Sequence, residues 1–353
     1  MNLGDWRSRI NDLDNQILHL LNQRAEAALQ IGDLKRRQEA PSYVPEREAA
    51  IVRRLAELNG GPMPAEAVRA IWREILSSCR ALEEPLAVAY LGPQATFTHQ
   101  AARERFGAAA QLKPTRAIGD VFDEVERGRV AFGVVPVENS TEGAVNVTFD
   151  RLAESDVLIC GEAYLEIAQH LLSRAGSLRE IKRVLSHPQG LAQCRAWLAQ
   201  HLPDVPTEET SSTAAAVEMA AGDPTLAGIA SALAGELYGV PVLRDRIEDN
   251  RHNATRFLVI GRKPVGASGR DKTSILFAMR NVPGALYRIL EPIVTNGINL
   301  TKIESRPAKR LPWEFVMFVD FEGHRDTPVA AAALTEAAER TVYLKILGSY
   351  PAA

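Results

Sequence analysis

From Asp5 to Arg37 the apolar positions Ile10, Leu13, Ile17, Leu20, Ala27 or Ala28, Ile31 and Leu34 recur at helical spacing, which predicts one long amphipathic helix. A break over Ala40 to Pro45, a helix from Glu46 to Leu58, a Gly60-Gly61-Pro62 turn and a helix from Pro64 to Glu83 follow, with no strand signal among them. After Glu84-Pro85 the texture changes. Short apolar runs at Leu86 to Leu91, Val130 to Val137, Val157 to Ala163, Arg183 to Ser186, Leu226 to Ala230 and Phe257 to Ile260 alternate with helical segments and read as strands. That alternation predicts an α/β domain with a largely parallel sheet, split into two lobes by its length of about 180 residues. Gly261 to Arg270 reads as a linker. Beyond it, strand (Ser274 to Met279), helix (Gly284 to Thr295), strands (Ile298 to Ser305, Glu314 to Phe321), helix (Pro328 to Arg340) and strand (Val342 to Leu347) spell βαββαβ, a ferredoxin-like unit.

Two cations break the pattern of the first helix. Arg24 continues the apolar row and Lys35 lies near its end. An unpartnered buried charge costs several kcal/mol, so such a pair implies either buried acids or an anion that comes and goes. The two are eleven residues apart, about 16 Å of rise, and both heads can bend toward one small dianion between them. Arg7 stands roughly 26 Å before Arg24 along the axis and reaches the same ligand only from a second copy packed antiparallel. Ion pairs with Asp14, Glu26 or a neighbouring helix satisfy the same spacing.

With 353 residues the chain calls for two or three domains. Its 41 basic and 44 acidic residues leave a net charge of -3, which gives no footprint for nucleic acid and favours a small-molecule partner. Cys79, Cys160 and Cys194 are scattered, against a disulfide framework or a zinc site, so no metal and no cofactor are expected. The start lacks an apolar signal core, and Asp223, Pro224 and Glu236 interrupt the most apolar stretch. A cytoplasmic protein with no membrane partner is expected.

Arg7 ahead of Ile10 and Leu13-Asp14, Arg24, Lys35 and Arg47-Glu48 together resemble the all-α chorismate mutase family over residues 1–84. The resemblance implies an intertwined homodimer whose first helices cross. It also implies that Arg7 and Arg24 hold the two carboxylates of chorismate, that Lys35 and Glu48 contact the ether oxygen and ring hydroxyl with Arg47 nearby, and that Glu83 is a second catalytic donor beside Lys35. The reaction is a unimolecular rearrangement, so the site needs only to hold a compact conformer and place donors where charge develops. A glutamate donates only when protonated, so mutase activity is expected to fall as pH rises. Val44 and Cys79 depart from members with an acid and a serine there.

Gly92-Pro93-Gln94-Ala95-Thr96-Phe97, Val137-Glu138-Asn139-Ser140-Thr141-Glu142-Gly143, Ser186-His187-Pro188-Gln189 with Gln193, and Asn253-Ala254-Thr255-Arg256-Phe257 each sit where a strand meets a loop or helix start. Together they resemble prephenate dehydratase over residues 86–264, a two-lobed α/β domain like the periplasmic binding proteins. The resemblance implies Thr255 as the catalytic group that relays a proton to, or orients, the leaving hydroxyl. It also places Thr96, Asn139, Ser140, Ser186, Gln193 and Arg256 at the substrate. Ala95 replaces the usual glycine of that loop. His187 and His170 read as structural or orienting.

Asn281-Val282-Pro283-Gly284-Ala285-Leu286 and Glu304-Ser305-Arg306-Pro307 resemble the α+β ACT regulatory domain over residues 272–353. The resemblance implies L-phenylalanine as allosteric ligand at Asn281, Gly284, Ala285, Leu286, Glu304 and Ser305, with the ACT domains pairing in the dimer. The module order implies an enzyme that turns chorismate into prephenate, prephenate into phenylpyruvate, and is inhibited by the end product. Two rivals are a dehydratase whose helical module only dimerises, and a binding module without catalysis. No GxGxxG follows a predicted strand, against a dehydrogenase.

Overall fold

The protein is described by a computed structural model that covers residues 2–38, 41, 43–307 and 315–353. Ala40, in the predicted break, and Glu314, at a predicted strand start, lie outside the described residues. The chain forms two compact units, residues 1–87 with 103–111 and residues 88–102 with 112–353.

The first unit holds α1 (Leu3–Arg37), α2 (Pro45–Glu57) and α3 (Ala65–Glu83). Asn2 caps α1 by accepting from the Asp5 amide at 3.0 Å while the Asp5 carboxylate accepts from the Asn2 amide at 2.7 Å. Lys35, Arg36 and Arg37 complement the dipole at the other end. Of this 35-residue helix only Ala28 and Gly32 are buried. The predicted apolar row is bare in its first half: Ile10, Leu13, Ile17 and Leu20 are 42 to 61% exposed. Gly32 sits where a Cβ would approach the Glu83 Cγ to 3.1 Å, so its lack of a side chain is what lets α1 close on the end of α3.

The second unit begins with β1 (Ala87–Leu91), α4 (Phe97–Phe106), β2 (Gln111–Thr115), α5 (Ile118–Glu126), β3 (Phe132–Asn139), β4 (Gly143–Ala144), α6 (Asn146–Glu154) and β5 (Leu158–Glu166), the end of α4 and the loop after it falling in the first unit. A second lobe contains β6 (His170–Leu172), β7 (Arg183–Ser186), α7 (Pro188–Gln193), α8 (Arg195–His201), β8 (Thr207–Glu209), α9 (Thr213–Gly222), β9 (Leu226–Ala230), α10 (Ala232–Tyr238) and β10 (Val242–Arg244). The chain returns to the first lobe through β11 (Ala254–Gly261), giving sheet orders β2-β1-β3-β11-β5 and β10-β6-β9-β7-β8. The expectation of a largely parallel sheet is corrected. β1 pairs parallel with β3, and β7 with β8 and β9, but β11 runs antiparallel to both β3 and β5, and β6 to β9 and β10. The cause is the double crossing between lobes: a strand that leaves one lobe and a strand that returns to it run in opposite directions.

The second lobe has its own core of Leu171, Ile181, Val184, Leu198, Ile229 and neighbours. The last domain comprises β12 (Asp271–Ala278), α11 (Ala285–Thr295), β13 (Leu300–Pro307), β14 (Phe315–Glu322), α12 (Pro328–Glu339) and β15 (Tyr343–Pro351), the βαββαβ order expected. Its antiparallel sheet, ordered β13-β14-β12-β15, buries Ile275, Phe277, Val319 and Phe321 against Ile289 of α11 and Leu334 of α12.

Candidate functional site

Two cavities collect the chemistry. In the first unit a cavity of about 180 Å³ is lined by Arg24, Lys35, Arg47, Glu48, Arg80 and Glu83 over a floor that includes Ile31, Val44, Leu76 and Cys79. Both cations of the α1 row therefore turn toward one pocket, and five of the six residues expected here meet around it. Arg7 does not: it is exposed, near the far end of α1. Lys35 Nζ lies 3.0 Å from Glu83 Oε2, whose side chain is only 11% exposed. Glu83 must give up this contact before it can donate to a substrate oxygen. Arg24 leans over the Trp72 ring at 5.9 Å.

Arg80 escaped the sequence reading. Its side chain is 5% exposed and meets Glu48 Oε1 at 2.6 Å, donates to the Phe106 carbonyl at 2.6 Å and lies 4.7 Å over the Tyr43 ring. The signal was present: Leu76, Arg80 and Glu83 fall on one face of α3, a second case of charges on an apolar stripe.

Between the lobes of the second unit lies a cavity of about 580 Å³. Thr255 from β11 and Asn139 from β3 are register partners, and the Asn139 amide donates to Thr255 Oγ1 at 2.8 Å. Asn139 Oδ1 accepts from the Thr141 and Glu142 amides at 2.9 and 3.1 Å, which fixes the orientation of its NH₂. Thr255 thus accepts from Asn139, and among the described residues no acceptor takes its own proton. Thr96 and Gln193 also line the cavity. Thr96 donates to the Pro93 carbonyl at 3.0 Å and accepts from the His99 amide. His187 lines the wall too, its Nδ1 accepting from the Gln189 amide at 3.4 Å. Ala95 holds φ 69°, the conformation a glycine would adopt, so the loop keeps its shape despite the alanine.

Three expected substrate contacts are not on this wall. Ser186 is fully buried and donates to the Ile229 carbonyl at 2.7 Å; a Cβ at Gly190 would run into its Oγ, so the helix start covers it. Ser140 accepts from the Ala254 amide at 3.0 Å and clamps the loop to β11. Arg256 follows Thr255 in an extended strand, so its side chain projects to the opposite face of the sheet. There, 6% exposed, it meets Glu162 Oε2 at 2.8 Å, Asp320 Oδ2 at 2.5 Å and Tyr350 OH at 3.0 Å. Burial alone would lower its guanidinium's pKa; Tyr350, Asp320 and Glu162 more than reverse this, and the net shift is upward. Burial, helped by Asp249 and Glu248, pushes the Cys194 thiol up, which leaves it inert.

The sequence reading also missed Arg116 and Gln169. Arg116 is the only arginine or lysine on the cavity wall among the described residues, and its place just past the carboxyl end of β2 was the available signal. Gln169, almost wholly buried, donates to Gln193 Oε1 at 3.0 Å and has no partner for its own buried Oε1. Nothing in its local sequence marks it.

In the last domain Gly284 adopts φ 76° where α11 starts. Leu286 lines a groove of about 440 Å³ with Tyr287, Leu290, Val294 and Leu300, whereas Asn281, Gly284, Ala285, Glu304 and Ser305 are not on its wall.

Among known proteins, the family model for chorismate mutase type II matches residues 6–84, that for prephenate dehydratase residues 88–265, and that for the ACT domain residues 273–339. A protein of Aquifex aeolicus (strain VF5) named bifunctional chorismate mutase/prephenate dehydratase is 49% identical over 355 residues, covering 99% of this chain and 98% of its own length. The solved structure of a prephenate dehydratase from Arthrobacter aurescens in complex with L-Phe is 34% identical over 75% of this chain and 90% of that chain, with a TM-score of 0.69. A structure described as a novel type of quorum quenching acylase matches as well, at 31% identity over 76% of this chain and 98% of that chain and a TM-score of 0.68. Architecture alone therefore does not select the chemistry, and the whole-chain likeness, mutase module included, carries the assignment.

Proposed function

The chain belongs to the bifunctional chorismate mutase/prephenate dehydratase family, and on that footing we propose which of its side chains perform each step. It is an enzyme that rearranges chorismate to prephenate and converts prephenate to phenylpyruvate with loss of water and carbon dioxide, with an ACT domain for feedback by L-phenylalanine. The domain limits are taken as 1–84, 86–264 and 272–353.

In the mutase, Arg24 and an Arg7 from a second copy take the substrate carboxylates, with Arg47 at the rim. Lys35 and Glu83 direct donors to the ether oxygen, and Glu48 faces the ring hydroxyl. Arg80 fixes Glu48. The charges need only be in place, because a rearrangement within one molecule demands orientation and stabilisation of developing charge. What supports the homodimer is the bare half of α1: an apolar row of this length on a helix about 52 Å long implies a covering partner, and an antiparallel copy brings Arg7 to the pocket.

In the dehydratase, the Thr255 hydroxyl, held as acceptor by Asn139, points its hydrogen at the leaving hydroxyl and orients it, since a hydroxyl is too weak an acid to originate the proton. Arg116 receives a carboxylate, and Gln193 with Gln169 completes the polar wall. Phenylalanine binds where the ACT segments at 281–286 and 304–305 meet, completed by a paired ACT domain. The chain works in the cytoplasm without a cofactor; among the described residues no helix is long and apolar enough to cross a membrane.

The observation that carries the dehydratase reading is the Asn139–Thr255 pair, and the one that carries the mutase reading is the convergence of Arg24, Lys35 and Glu83. Incubation with chorismate should yield prephenate and then phenylpyruvate, both slowed by phenylalanine. Arg7→Ala and Arg24→Ala should each lack mutase activity, and mixing them should restore about a quarter of it through mixed dimers with one intact site. No recovery on mixing would place Arg7 outside the site.

A further inference from the structure

The face of the first-lobe sheet opposite the cavity carries a second set of contacts. Thr255 lies across from Asn139, and one residue along each strand Arg256 lies across from Glu138. Strand alternation turns the first pair toward the cavity and the second pair away from it. Both members of the second pair are taken by the ACT domain: Arg256 by Asp320 at 2.5 Å and Glu138 by Lys302 at 2.8 Å. Lys302 and Asp320 are themselves register partners across β13 and β14. One cross-strand rung of the catalytic sheet is thus ion-paired, side chain for side chain, to one rung of the regulatory sheet.

The Arg256 arm is rigid and buried. Glu162 of β5 holds Arg256 and also Lys272 of β12, 2.7 Å from its Oε1, while Ser274 bridges Asp320 and the Tyr350 hydroxyl at 2.6 and 2.7 Å. The Glu138 arm is looser. Lys302 lies 3.8 Å from Glu304, on the strand whose end was assigned to the effector.

We propose that the ion pairs Glu138–Lys302 and Arg256–Asp320 couple the ACT domain to the dehydratase, so that effector occupancy shifts Asn139 and Thr255 out of the alignment they hold without effector. This rests on the dehydratase and effector roles given above. Arg256 anchors the regulatory sheet to the Thr255 strand, and Lys302 links movement at Glu304 to the residue beside Asn139. None of the four touches substrate.

The test is Lys302→Met in the full chain, with phenylalanine binding measured by calorimetry and dehydratase kcat and KM measured with and without phenylalanine. The expected result is a variant that binds phenylalanine and turns over prephenate at near the normal rate, yet needs about tenfold or more phenylalanine for half-inhibition, within the usual range of coupling between sites. Reversing the pair, Glu138→Lys with Lys302→Glu, should recover inhibition that neither single change shows, a rescue that a purely structural role would not produce. Undiminished inhibition of Lys302→Met, or a reversed pair no better than the single variants, overturns the proposal. Failure of the wild type to bind phenylalanine instead overturns the effector assignment, and the proposal with it.

Discussion

The two cavities proposed as active sites face the same recognition problem, a small dianion, with different materials. The mutase pocket is built from charges that pair with one another across three helices, Lys35 with Glu83 and Arg80 with Glu48. The dehydratase cavity is lined mainly by hydroxyls, amides and backbone with Arg116 as its one basic side chain among the described residues apart from the imidazole of His187, and its domain keeps its dense charge cluster on the far side of the sheet, around Arg256. A rearrangement needs fixed fields and transfers no proton, so groups held in place by one another suffice. An elimination must hand a proton to a leaving group, which calls for neutral groups that can donate and accept in turn.

The comparison breaks most visibly at Thr255. Thr255→Ala should lower dehydratase kcat by roughly 10²- to 10⁴-fold, the usual range for a lost proton-transfer group, and leave mutase activity unchanged. Retained dehydratase turnover would mean that Thr255 is not the catalytic group.

Arg256→Met tests the other side of the same strand. It leaves Glu162 and Asp320 short of a buried cation, and the expected loss is about 3 to 5 kcal/mol of stability, read from the urea midpoint of the second unit. A variant of wild-type stability with a raised KM would return Arg256 to the substrate.

Glu83→Gln sharpens the mutase half. The amide carries donor hydrogens of its own, so the variant should retain mutase activity within about tenfold, whereas Glu83→Ala should lose it. A Glu83→Gln variant as inactive as the alanine variant would remove Glu83 from the donor set.

The smallest effect is expected at Ala95. Glycine would relieve the left-handed backbone at φ 69° but would also empty the place its methyl fills in the cluster with Leu172, Ala214 and Val217. These terms are each of order 1 kcal/mol and opposed, so Ala95→Gly should move the thermal midpoint by only a few degrees.

What the sequence made legible differs between the cavities for the same physical reason. Arg24 and Lys35 share one helix, so their spacing alone placed them on a common face; Arg80 was open to the same argument on α3 and needed only that it be applied. Thr255 and Asn139 are 116 residues apart, and no local period brings them together; only the resemblance of their motifs did. The resemblance then overreached. Arg256 and Ser186 belong to motif segments, yet strand alternation sends one to the opposite face and a helix start seals the other. Neighbours in a motif are not neighbours in a site. The mixed sheets were hidden because the pattern of apolar runs shows where strands are and says nothing of their direction, which the two crossings between lobes decide.

The uncovered half of α1 has a consequence for how the two activities scale. If a mutase site takes Arg7 from one chain and Arg24 from another, then below the dissociation constant of the pair its yield falls with the square of enzyme concentration. The Asn139–Thr255 constellation lies within one chain and loses output only in proportion. Dilution alone would then turn one enzyme from a two-step catalyst into a consumer of prephenate that it no longer makes.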